Sequence, residues 1–228
     1  MDALHHKVLD TSDNLIYRIP TMAKVHAISS DTDTQNDPVQ LSDRAIENLR
    51  FIRETMERST SFTAVPGYGG VLMGVTAVVT AYIASQQIYL RDWLITWIVE
   101  AGLAFSIGLL AMWQKSKISG EALLSVPAKK FAFGFTPPLV AGVAITLGLW
   151  RYEHYEIMAP IWMLLYGTSV VTGGAFSVRI VPVMGWVFMA FGALCFALPA
   201  TYGNYFLGAS FGLLHIIFGA IIARRYGG

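Results

Sequence analysis

The sequence predicts an all-α, polytopic bundle of six transmembrane helices with a short cytoplasmic N-terminal amphipathic helix. Three observations carry that expectation. Apolar residues make up 54% of the chain and charged residues only 14%, with a mean hydropathy of +0.52, an excess that lipid rather than water solvates. The apolar residues fall after residue 64 in six runs of 18 to 21 residues, over 67–84, 93–113, 131–150, 157–176, 181–198 and 205–223. At 1.5 Å of rise per residue, each approaches or spans a hydrocarbon core of ~30 Å. The runs are also apolar at odd and even positions alike, which excludes the alternating strands of a membrane barrel.

Before the first span lie 63 mostly polar residues, so no signal peptide is expected. Residues 1–41 are rich in Asp, Ser and Thr and cannot bury a core; they read as a disordered cytoplasmic segment. Over 42–60 the pattern becomes helical. Ser42 stands as N-cap, Ala45, Ile46, Leu49, Ile52 and Met56 share one face, and Arg50–Glu54 and Glu54–Arg58 are charge pairs one turn apart. This amphipathic helix packs under the bundle, lies on the lipid surface or docks a cytoplasmic partner. The transmembrane domain then occupies 64–226.

Basic residues set the orientation. With a cytoplasmic N-terminus, ten lie on cytoplasmic flanks (Arg50, Arg53, Arg58, Lys115, Lys117, Lys129, Lys130, Arg179, Arg224 and Arg225), against Arg91 and Arg151 opposite. The positive-inside rule therefore places both termini in the cytoplasm of an inner, or plasma, membrane protein. Tyr89, Trp93, Trp150, Tyr152, Tyr155, Tyr202 and Tyr205 form an aromatic belt at the other face.

Val-Pro introduces each odd span, at Val65-Pro66, Val126-Pro127 and Val181-Pro182, which suggests three helical hairpins in parallel repetition. A rival register pairs Thr76-Ala-Val-Val-Thr80 with Thr168-Ser-Val-Val-Thr172, as an inverted three-plus-three transporter repeat would. Both registers stay open at this stage, as does the absence of any repeat.

Glu100 is the one formally charged side chain inside the six runs, and a carboxylate in hydrocarbon costs roughly 2.5–3.5 kcal/mol even on lenient scales. Its helix face continues through Ala104, Gly108 and Ala111, while the face of His215 carries Gly208, Gly212 and Gly219. Such small-residue stripes face protein, and the pairs Gly70 with Gly74 and Gly208 with Gly212 mark close helix packing. Glu100 lies ~10 Å deep and His215 ~15 Å, so the sequence predicts that they bond directly or through water as proton-responsive groups. Pro137-Pro138 removes backbone donors inside span three and predicts a kink with free carbonyls near Phe133 and Gly134. Thr76, Thr80, Thr168 and Thr172 supply hydroxyls for a polar path or for their own preceding turns.

Several chemistries find no support. Gly-Tyr-Gly at 67–69 opens a span rather than lying in a re-entrant loop, so it is no potassium filter. Glu153, His154 and Glu156 are metal-ligand types without a converging third element. Haem lacks two axial ligands at one depth, retinal lacks a lysine within a span, and the nucleophile, zinc and phosphate-loop motifs of enzymes are missing. No catalytic residue, metal or cofactor is assigned, and the near-neutral charge gives nucleic acid no footing. A small transporter or channel for a proton, ion or small polar solute is the leading expectation. A non-catalytic membrane partner or sensor comes second, and a membrane-embedded enzyme or cofactor protein third. The expected partners are the lipid bilayer, a second copy through a glycine face, and a cytoplasmic protein on 42–60.

Overall fold

A computed structural model describes residues 38–59, 61–119 and 125–227, and these are all-helical apart from one isolated bridge between Phe62 and Ser177. The chain divides within its first helix into two units, Met1–Glu47 and Asn48–Gly228; the second holds the helical bundle.

Helix α1 runs Pro38–Ser59. It begins one turn before Ser42, which therefore lies inside the helix rather than capping it. Pro38 suits a first helical position because its ring presets φ and its missing N–H would be unpaired there anyway. The expected disordered segment is correspondingly shortened: 1–37 lies outside the described residues, and 38–41 is helical. Arg50 and Glu54 pair at 3.3 Å. The Arg58 side chain lies outside the described residues. Ile46, Leu49, Phe51, Ile52 and Met56 are all more than half exposed.

Then follow α2 (Gly67–Ser85), α3 (Leu90–Ser119), α4 (Val126–Arg151), α5 (Met158–Gly174) and α6 (Ile180–Phe196). A last composite stretch joins α7 (Gly203–Leu207), a π-helical segment Gly208–Leu214 and α8 (His215–Tyr226). Five stretches are long and apolar enough to cross a membrane: Gly67–Ser85, Leu90–Ile118, Val126–Arg151, Tyr155–Gly174 and Ala200–Tyr226. Helix α6 is equally apolar but has 17 residues, the lower limit for a span. It ends before 198 because the residue preceding Pro199 is driven out of helical geometry. Valines, leucines and phenylalanines stand exposed along α2, α3, α4 and α6, a surface compatible with a multi-pass membrane protein.

Packing is organised around two central helices. On one flank α2 meets α3; on another it meets the π segment and α8. In the same way α5 is flanked by α4 and α6. By contrast, α6 and α8 touch sparingly, although three equivalent hairpins would pair them as α2 pairs α3. The arrangement has the order of a three-plus-three register, with each triplet's first helix flanked by its own second helix and by the other triplet's third.

Glycine makes both tight seams. A methyl added at Gly74 would lie 2.6 Å from the Gly212 carbonyl oxygen, and one at Gly70 3.3 Å from Gly219 Cα. Gly167 and Gly185 are reciprocal, each 2.7 Å from the other's carbonyl in the same sense. Gly208 abuts Ala81. Gly70, Gly74, Gly208 and Gly212 thus pack against neighbouring helices of the same chain.

At the end rich in basic residues, Phe62 N–H donates to Phe176 O (2.7 Å), Ser177 Oγ donates to Phe62 O (2.7 Å), and the Phe62 and Phe131 rings lie 5.1 Å apart. Buried Lys115 donates through Nζ to the carbonyls of Val65 (2.9 Å), Tyr226 (3.1 Å) and Gly227 (2.6 Å), tying together the entry to α2 and the exit of α8.

Candidate functional site

Glu100 is 5% exposed on the seam between α2 and α3. Thr76 Oγ1 donates to its Oε1 at 2.8 Å and Thr80 Oγ1 to its Oε2 at 3.0 Å. Threonines four apart on α2 present both hydroxyls on one face, so each carboxyl oxygen meets one donor. Among the described residues no ion pair reaches Glu100. The rest of its stripe follows the same seam, with Gly108 against Met73 and Ala111 against Gly69.

Thr76 has a second acceptor, the Met73 carbonyl oxygen, also at 2.8 Å. Its one proton goes to either the carboxylate or its own backbone. If Glu100 ionises, Thr76 donates to it. If Glu100 is protonated, the carboxyl can donate to Thr76 Oγ1 while Thr76 turns to Met73 O. Both protonation states are satisfied without moving a helix.

His215, also 5% exposed, meets the Tyr166 hydroxyl through Nε2 at 2.7 Å. Phe188 and Phe211 complete an aromatic box, with ring centroids 5.3 and 6.0 Å from the imidazole. Nδ1 is buried and makes no hydrogen bond among the described residues. Tyr166 donates to Nε2 when the ring proton sits on Nδ1. Ser169 Oγ, one turn along α5 from Tyr166, is likewise buried without a partner.

The expected bond between Glu100 and His215 is therefore not made. Both of their small-residue stripes pack on α2, from flanks roughly 130° apart at 3.6 residues per turn. Thr76 and Thr80 look toward α3, whereas Gly70 and Gly74 look toward α8. Each polar residue found a nearer partner than the other.

Thr168 and Thr172 sit apart from both. Thr168 Oγ1 donates to Leu164 O at 2.8 Å and lies 3.9 Å from Met189 Sδ. Thr172 Oγ1 reaches Gly134 O on α4 at 2.7 Å and Thr168 O at 2.8 Å. The first of these acceptors is the carbonyl that Pro138, lacking an N–H, leaves unpaired. Pro137 and Pro138 lie inside α4, which remains helical through them from Val126 to Arg151.

Asn204 was missed by the sequence reading. Its Oδ1 accepts from both Trp93 Nε1 and Trp97 Nε1 at 3.1 Å, and its Nδ2 donates to Ala81 O at 2.9 Å. Trp93 in turn stacks on Trp162 with centroids 5.7 Å apart, and Trp162 Nε1 donates to Thr146. The available signal was an amide at the head of an apolar run facing a belt of tryptophans. His154 and Glu156 pair at 3.4 Å, and among the described residues no three His, Cys, Asp or Glu side chains converge as metal ligands. Two grooves open along α4, and neither is lined by Glu100 or His215. Comparison with protein families, with curated proteins and with solved structures finds no match to this chain.

Proposed function

We propose that this chain is a six-span inner-membrane transporter or channel for a proton, ion or small polar solute, with both termini cytoplasmic and Glu100 as its proton-responsive group. The carrying observation is the two-way hydrogen bonding of Thr76, shared between Glu100 Oε1 and Met73 O at 2.8 Å each. A carboxyl that only fixed packing would need one protonation state; this one is provided for in both. The cost of a charge in hydrocarbon is offset by two hydroxyl donors and lowered further when the group carries a proton.

Helix irregularities support the same reading. Pro137-Pro138 interrupts the hydrogen bonding of α4, and the π segment interrupts the last stretch. These are the third helices of the two triplets: Pro137 stands 11 residues after the start of α4, and the π segment begins five residues after the start of α7. Paired interruptions in corresponding spans are what a transporter of inverted repeats places beside its substrate path. Helix α6, at 17 residues, is the fifth span in chain order and completes the six.

A second reading, a non-catalytic partner or sensor, is favoured by the exposed apolar residues of α1, which suit docking to another protein. Proteoliposomes separate the two. Wild type, Glu100→Gln and Thr76→Val are followed by lumenal pH and across a panel of ion and solute gradients. We expect wild-type flux, a loss of at least about 100-fold in Glu100→Gln, and in Thr76→Val a partial loss with an altered pH profile. Undiminished flux in a folded Glu100→Gln protein removes Glu100 from the path, and silence of the wild type across the panel favours the partner reading.

A further inference from the structure

The face of α4 turned away from α5 is not uniformly convex. Lys129, Phe133, Pro137, Ala141 and Ala144 follow one another at spacings of four, four, four and three, so they share a face. Phe133 and Val140 rise beside the small Ala141 and Ala144, and these residues of α4 line a shallow, open groove that begins at Lys129. A second groove meets it there, lined by Lys129, Lys130, Phe133 and Phe176. From Lys129 to Ala144 the groove covers ~22 Å of helix, enough to cross one leaflet's half of a ~30 Å core.

Charge distinguishes this groove from an ordinary lipid-facing surface. Lys129 and Lys130 are exposed side by side at its mouth, and among the described residues neither is in an ion pair. Lys130 Nζ lies 5.9 Å from the centre of the Phe176 ring, which holds one edge of the mouth. Two cations at headgroup depth above a shallow apolar groove match a molecule with a negative head and a long hydrocarbon tail.

We propose that this groove binds one anionic phospholipid, its phosphate between Lys129 and Lys130 and one acyl chain along Phe133, Pro137, Ala141 and Ala144. The site needs only that the bundle lie in a bilayer and is independent of transport. Anionic lipid then bridges the start of α4 to the turn after α5, where Phe176 also accepts from the Phe62 backbone.

The test is native mass spectrometry of the full chain from mixed micelles containing phosphatidylglycerol and phosphatidylcholine of equal chain length. Wild type should retain the anionic lipid on the order of tenfold over the zwitterionic one. Lys129→Gln/Lys130→Gln should abolish that preference, Ala141→Trp should displace the retained lipid, and Arg224→Gln/Arg225→Gln should leave the preference intact. Equal retention of both lipids by wild type overturns the proposal. So does an equal loss in the Arg224/Arg225 variant, which would mark diffuse surface charge. A lipid-free dimer that Ala141→Trp dissociates also overturns it, because the groove would then hold a second copy.

Discussion

Lys115 shows how one buried cation is made tolerable: its ammonium donates to three backbone carbonyls that no helix could satisfy. The positive-inside count treats it as one more basic flank, yet it is buried, and it binds the bundle's ends together. Lys115→Met should destabilise the protein by about 2 kcal/mol, because hydrogen bonds to a charged donor are lost and carbonyls are left unpaired. Thermal unfolding in detergent checks this; an unchanged midpoint would make the cluster dispensable. Glu100 was legible in the sequence because a charge inside an apolar run is costly wherever it faces. Its donors were not, because Thr76 and Thr80 are 24 and 20 residues away and any of the span hydroxyls had equal claim. Asn204 escaped notice because it lies just outside the apolar run.

Among the elements, α4 and α5 illustrate how a defect in one helix is met by a side chain of another. Pro138 withdraws the donor for Gly134 O, and Thr172 supplies one. Thr172→Val should cost about 1 kcal/mol beside Pro138 and less in a Pro138→Ala background, where the restored N–H serves the same carbonyl. A double-mutant cycle measured by unfolding reads the coupling, and strictly additive effects would dissociate the two residues. The prolines predict the missing donor, since that is a local property of the ring. Which residue replaces it depends on the approach of α5, which Gly134 and Gly173 permit by presenting no side chain. Likewise α1 began a turn earlier than its polar pattern indicated, because Pro38 is as good a start as Ser42.

Over the whole molecule, two helical groups, each built around a central helix, meet through limited contacts, and the Trp93–Trp162 stack joins α3 to α5 across them. If transport proceeds by movement of one group against the other, fixing that stack should stop it. In a Cys195→Ala background, Trp93→Cys/Trp162→Cys bridged by a short bifunctional thiol reagent should lose at least about 90% of the flux of the unbridged variant, restored on cleavage. Flux that survives bridging would exclude such movement. The sequence by itself determined that the chain is helical and built from membrane-length apolar segments, because length and hydropathy are local and each segment satisfies its own backbone hydrogen bonds. It also singled out Glu100, since burying a charge is costly whatever its neighbours. Only the tertiary structure decided that α2 presents threonines to Glu100 on one flank and glycines to α8 on another, and that His215 turns to Tyr166. Helices of nearly uniform apolar composition do not encode their partners in any short stretch; close packing at glycines, and the few hydroxyls within reach, make that choice.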